Sequence, residues 1–202
     1  EVQISPDGKW VAYTVSELDM KKDKSLRRIY IIPRNGGEPI AITGKDYSAS
    51  QPRWSPDNKY LSFLASKKKG DKTQVWMSNR LGGDAEVLTN IPQGLSSHEW
   101  SPVGNKLLLV IKDPTPEQLT KDKEDDKKAK PYVIDRRQFK RDYVGYLDRY
   151  RNHLFTLVPG DSIPTQLTWG DFDDSNPVWS PDGRSIAFVS NRTADPDGNS
   201  NT

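Results

Sequence analysis

An all-β fold of recurring four-stranded antiparallel sheets is what this sequence predicts, and three observations predict it. The turn signal S-P-x-[GN] occurs four times, at Ser5, Ser55, Ser101 and Ser180, in steps of 50, 46 and 79 residues. A second phrase keeps step with it: "IYIIPRNGGEPIAIT" (29–43), "VWMSNRLGGDAEVLT" (75–89) and "LFTLVPGDSIPTQLT" (154–168) align without a gap. Between them, the strand after each turn presents the columns Val11/Leu61/Leu107/Ile186, Ala12/Ser62/Leu108/Ala187 and Tyr13/Phe63/Leu109/Phe188.

Each element follows from its residues. In the turn, Pro fixes φ near −65°, Asp or Asn favours the bend, and Gly8, Gly104 and Gly183 supply positive φ. Asn58 stands at the same place and is the next most tolerant residue of that region. The second phrase runs aliphatic–aromatic, breaks at a Gly-containing turn and closes on aliphatic–Thr, which is a hairpin signature. The unit is therefore strand, S-P-D-G turn, strand, loop, strand, G-G turn, strand. Strand side chains alternate faces, so the bulky columns share one face and the mostly small column takes the other.

A bulky face and a shallow face nest against neighbours of the same kind. Radial stacking of such sheets at a 40–50-residue period is a β-propeller. Trp54, Trp100 and Trp179, each just before its turn, are expected to fill the seams between blades. The blades span about 2–43, 51–89 and 97–168, with a fourth begun at 176–202. The chain is thus predicted to be a partial propeller of about three and a half blades over 1–202. It opens on a repeat at Glu1 and stops inside one, which predicts a piece of a longer polypeptide.

The 79-residue step contains an insertion at 113–150. Its run "KDKEDDKKAK" (121–130) mixes charges with no apolar period and predicts a solvated loop. The following stretch predicts an added hairpin leaving Tyr132 and turning near Gly145. Its basic cluster Arg136, Arg137, Lys140, Arg141 and Arg149 alternates with Asp135, Asp142 and Asp148, as in a self-paired ladder. Long insertions on rigid scaffolds commonly serve as lids or partner contacts.

Composition excludes several functions. With 33% hydrophobic residues and a mean hydropathy of −0.82, no apolar run reaches the ~20 residues of a spanning helix. Thirty basic against 28 acidic residues, interspersed, leave +2 and no basic stripe for nucleic acid. The absence of cysteine excludes disulfides, thiolate metal sites and a cysteine nucleophile. It suits a reducing cytoplasm, the expected compartment, with the periplasm left open because no natural N-terminus is visible.

Chemistry is sparse. His98 and His153 fall on blade strands outside any metal-binding spacing and are expected to be structural. No G-x-S-x-G elbow is present, and "GDSIP" at Gly160 occupies a repeated turn. "GDFDDSNP" (170–177) lacks the spacing of a calcium loop and reads as an inter-blade connector. Neither catalytic, metal nor cofactor residues are assigned.

The "WSPDG…IAFVSNR" repeat, the G-G turn and the closing "LT" resemble the propeller repeat shared by TolB-type proteins and the prolyl oligopeptidase (S9) family of serine peptidases. "LTNIPQGLSSHEWSP" (88–102), "YVIDRRQFKRDYVGYLDRYRNHLF" (132–155) and "QLTWGDFDDSNPVWSPDGRSIAFVSNR" (166–192) are similar to its acylaminoacyl-peptidase-like branch. The resemblance implies a seven-bladed propeller over a C-terminal α/β-hydrolase domain that this chain lacks. It further implies hydrolysis of short peptides, with the propeller as size filter and access gate. The alternative is a TolB-like, non-catalytic protein-interaction module. Partners implied are the hydrolase domain, the remaining blades and peptide substrates. Open blade edges also predict self-association.

Overall fold

The structure is a computed structural model and describes residues 1–20, 24–68, 70–119, 134, 137–142 and 145–194. Sheet one comprises β1 (Val2–Ile4), β2 (Trp10–Asp19), β3 (Lys24–Pro33) and β4 (Ile40–Ala41). Sheet two comprises β5 (Ala49–Trp54), β6 (Tyr60–Ala65), β7 (Gln74–Asn79) and β8 (Glu86–Val87). The third repeat adds β9 (Ser97–Trp100), β10 (Leu107–Lys112), the one-turn helix α1 (Pro116–Leu119), β11 (Lys140–Arg141), β12 (Gly145–Tyr146), β13 (Asn152–Leu157) and β14 (Thr165–Gln166). Sheet four is the pair β15 (Asp174–Trp179) and β16 (Ile186–Ser190). The first two sheets pair in sequence order, and the third pairs as β9-β10-β13-β14, all antiparallel. Among the described residues no helix is long and apolar enough to cross a membrane.

The sheets nest as the columns predict. Leu61 and Phe63 of sheet two pack with Trp54 onto Ala12, Ile29 and Ile31 of sheet one. Leu107, Leu109 and Ile111 of sheet three pack onto Leu64 and Val75 of sheet two. Ile186 and Trp179 of sheet four lie against Leu108, Val110 and Leu154 of sheet three. The bulky face always meets the preceding sheet and the shallow face the following one. Each large side chain buried this way contributes roughly 1.5–3 kcal/mol. Phe188 is still 36% exposed, because among the described residues no third strand flanks β16.

Side chains explain the letters of the repeat that turn geometry alone does not. Ser5 Oγ donates to Asp7 Oδ1 (2.6 Å) and accepts the Trp10 N–H (2.9 Å), while Asp7 accepts the Lys9 N–H (3.1 Å). Ser55/Asp57 and Ser180/Asp182 repeat this clasp with the same 2.6 Å bond. The serine bond holds all three carboxyls below the usual carboxylate range. Val103 takes the aspartate's place in the third turn, where Ser101 Oγ donates instead to the Val103 carbonyl (2.6 Å).

The closing threonines do similar work at the outer edge. Thr43, Thr89 and Thr168 each use Oγ1 to accept the N–H of Ile29, Val75 or Leu154, at 2.9, 3.0 and 2.9 Å. Each extends a two-residue outer strand by one bond and satisfies an amide that water does not reach.

Three sequence expectations need correction or sharpening. The ladders of sheets two and four begin at Ala49 and Asp174, two residues before the expected 51 and 176. Both inner strands break register between Ser50 and Arg53 and between Ser175 and Val178. Gln51 (φ 52°) and Asn176 (φ 48°) take the left-handed conformation there, each before a proline. The inserted hairpin is present and reverses next to Gly145, as two-residue strands in which Gly145 pairs with Arg141. Tyr132, Asp135, Arg136 and the 121–130 run lie outside the described residues. Asp148 pairs with Lys112 of β10 (2.8 Å), which ties the insertion to the blade.

Replacing Thr89 by Val should strand the buried Val75 N–H and cost about 1–3 kcal/mol of unfolding free energy in urea titrations. A loss below a few tenths would show that the clasp is dispensable.

Candidate functional site

The inner strands β5, β9 and β15, with Glu1 just ahead of β1, line a polar cavity of about 390 Å³ whose wall includes Gln51, Arg53, Ser97, Asn152, Ser175 and Asn176. Period-2 alternation sends one set of inner-strand side chains into seams and leaves the other set near this opening. The two register breaks fall here, turning Gln51 and Asn176 onto the cavity wall. Gln51 Nε2 then donates to the Ser96 carbonyl (2.9 Å), linking sheets two and three.

Arg53 is the electrostatic centre of this rim. Its guanidinium donates to Glu1 Oε1 (2.7 Å) and Glu99 Oε1 (2.5 Å), so one cation joins sheets one, two and three. Burial works to lower the Arg53 pKa, but the two carboxylates outweigh it and hold the group above its ordinary value. Burial pushes Glu99 up despite the pull of Arg53. Every charge in the trio has a partner, so the trio fixes the rim and leaves no free acid or base.

Behind it lies a serine–histidine contact that the sequence did not reveal. Ser62 Oγ donates to the Arg53 carbonyl (3.1 Å), accepts the Trp100 indole N–H (2.8 Å) and sits 2.8 Å from His98 Nε2. With the hydroxyl proton given to the carbonyl, His98 must carry its own proton on Nε2. That tautomer donates to the serine and cannot deprotonate it. Both side chains are buried, and burial, then the Arg53 charge, pushes His98 down to about 3. The pair is a seam fastener and has no access to substrate.

A second cluster secures the insertion's base. Asp113 N–H donates to the Arg151 carbonyl (2.7 Å), and Arg151 N–H donates to Asp113 Oδ2 (2.9 Å). The buried Arg151 side chain reaches Asp171 (2.7 Å) and Asp173 (3.3 Å), and Asn152 donates twice to Asp173. His153 lies with Nε2 3.5 Å from Asp113 and Nδ1 3.6 Å from Asp174. Burial acts to raise Asp174, but bonds from Thr168, Ser190 and Arg192 hold its carboxyl below the usual range. Of the acidic 170–177 stretch, only 170–173 is a connector, with Asp171 and Asp173 anchoring Arg151, while 174–177 belongs to the inner strand β15. Among the described residues no group of three or more His, Cys, Asp or Glu is arranged to hold a metal ion.

The predicted site residues thus separate. Trp54 and Trp100 fill seams and donate their indole N–H groups, to the Gln3 carbonyl (3.4 Å) and Ser62 Oγ. Trp179 fills the third seam, where Leu108 replaces the serine and the indole N–H has no partner among the described residues. Gly160 lies on the β13–β14 turn, where Asp161 N–H donates to the Val158 carbonyl.

These features define a propeller-type chain with a polar inner rim and no assembled catalytic group among the described residues. No family model matches the sequence. The uncharacterized peptidase YuxL of Bacillus subtilis is 30% identical over 192 residues, covering 95% of this chain and 29% of that protein. Dipeptidyl-peptidase 5 of Porphyromonas gingivalis is 28% identical over 205 residues, again 95% and 29%. Among solved structures, Pyrococcus horikoshii acylaminoacyl peptidase superposes with a TM-score of 0.64 at 20% identity, over 89% of this chain and 26% of that one. TolB from Acinetobacter baumannii gives 0.56 at 20% identity, over 92% and 36%. The chain is thus similar in sequence to one stretch of these bacterial peptidases, and it shares its fold with the corresponding parts of the acylaminoacyl peptidase and TolB structures. It spans less than a third of the length of the peptidases it matches.

His98 supplies a pH test. Its folded value lies below the free value of 6.5, so below 6.5 the unfolded chain takes up a proton that the folded chain does not. Stability should fall on acidification, by about 2 kcal/mol between 6.5 and roughly pH 5, and His98→Gln should flatten that slope. An unchanged slope in the variant would place the buried histidine's contribution elsewhere.

Proposed function

We propose that this chain is the access-restricting part of a serine peptidase acting on short peptides, in the manner of acylaminoacyl or dipeptidyl peptidases. The observation that carries this reading is the match to peptidases over 95% of the chain but only 29% of their length. The reacting groups then belong to an α/β-hydrolase portion of the longer polypeptide. The propeller part acts physically: a rigid rim limits what reaches a buried nucleophile and keeps bulk water from it. The Glu1–Arg53–Glu99 trio supports such a role, because it braces three sheets at the opening. Seven blades in the complete ring, and a cytoplasmic location, belong to the same proposal.

A second reading, a non-catalytic interaction module, is favoured by the TolB superposition over 92% of the chain. Fluorophosphonate labelling separates the two. The complete polypeptide should label and cleave short peptides, while residues 1–202 alone should do neither. A complete polypeptide that does not label would favour the interaction module.

Rim rigidity has its own test. Arg53→Ala in the complete polypeptide should raise kcat/KM for a large substrate such as casein relative to a short peptide. An unchanged ratio would remove Arg53 from any filtering role.

A further inference from the structure

We propose that Asn35 is a self-modification site, where the side-chain amide is exchanged for a carboxylate through a cyclic imide formed with the Gly36 nitrogen. Such a step needs a free carboxamide, a following residue without a β-carbon, and water at the turn. The sequence contains one Asn-Gly dipeptide, at 35–36. Among the described residues no hydrogen bond holds the Asn35 carboxamide. Several other asparagines are tied: Asn58 Oδ1 accepts the Asp7 N–H, Asn79 Oδ1 accepts the Leu81 N–H, and Asn152 Nδ2 donates to Asp173. Asn176 precedes Pro177, whose nitrogen carries no proton to lose.

The fold keeps this dipeptide in the open. Residues 34–40, between β3 and β4, are all exposed. Gly36 takes φ 90°, and a β-carbon built on it would meet no atom within 4 Å. This exposure belongs to the turn itself, since its counterpart in sheet two, Leu81, is 88% exposed although sheet one packs on that sheet. The Gly36 N–H donates to the Pro33 carbonyl (2.9 Å), as the Gly82 N–H does to that of Asn79 (3.0 Å). That bond must open before the nitrogen can attack. The outer strand β4 is two residues long, so the end of this hairpin opens at low cost. Lys9 and Arg34 share a surface hollow with Asn35, and their charges favour the negative charge that develops during the attack.

The step balances with water as the co-reactant. The Gly36 nitrogen gives its proton to water and bonds to the Asn35 side-chain carbonyl carbon. The carbon–nitrogen bond of the carboxamide breaks, and ammonia leaves. Water then opens the imide at either carbonyl. Opening at the side-chain carbonyl gives aspartate. Opening at the main-chain carbonyl gives isoaspartate, which routes the backbone through the side chain and lengthens the turn by one methylene. Either product lowers the formal net charge of +2 by one. This inference does not depend on the peptidase reading.

The intact protein, aged at mildly alkaline pH and mapped by peptide mass spectrometry, should convert at Asn35 about tenfold faster than at any other described asparagine. A methyltransferase specific for isoaspartyl carboxylates should then label the aged protein, and label the aged Asn35→Leu variant far less. Leucine is what sheet two carries at this place, and Asn35→Gln serves the same purpose should the leucine variant misfold. Conversion that begins at another asparagine overturns the proposal. So does conversion at Asn35 only after the chain is unfolded in urea, or equal labelling of the aged variants and the aged wild type.

Discussion

The interaction on which the structure depends is the nesting of a bulky sheet face into the shallow face before it. No sheet here encloses a core by itself: β6 buries Leu61 and Phe63 only because Ala12, Ile29 and Ile31 stand opposite. The same strand turns Ser62 and Leu64 the other way, toward Trp100 and Leu107. Period-2 alternation makes every central strand serve two seams at once, so the sheets stabilise one another in sequence.

Polar groups in the seams secure this arrangement more than they add chemistry. The Ser62–His98–Trp100 trio occupies a position where sheets one and four carry alanine, and it replaces shape complementarity with directed hydrogen bonds. Arg53 does the same at the inner rim, and Arg151 beside the insertion. Each of these two cations is held by carboxylates from neighbouring segments.

Much of this was legible from the residues. The S-P-x-[GN] spacing located the four inner hairpins, and the alternation of Val11, Ala12 and Tyr13 with their counterparts assigned both faces correctly. The tryptophans before each turn did mark the seams. What escaped was governed by contacts distant in sequence: Ser62 meets His98 across 36 residues, and Arg53 meets Glu99 across 46. Local pattern contains no record of such pairs. The register breaks at Gln51 and Asn176 escaped for a different reason. A Q-P or N-P dipeptide reads as an ordinary strand start, and only the pairing reveals an extra residue. The insertion was the least legible, since its mixed charges and aromatics lack the period that defines the blades, and its hairpin is only two pairs long.

Native-state amide exchange tests the central claim most directly. If the sheets hold only through their seams, the amides at the centres of β6 and β10 must open together, with one common free energy equal to that of global unfolding. Exchange of the β10 amides at a free energy well below that of β6, under conditions where sheet two stays fully protected, would mean that individual sheets stand alone and would contradict the account.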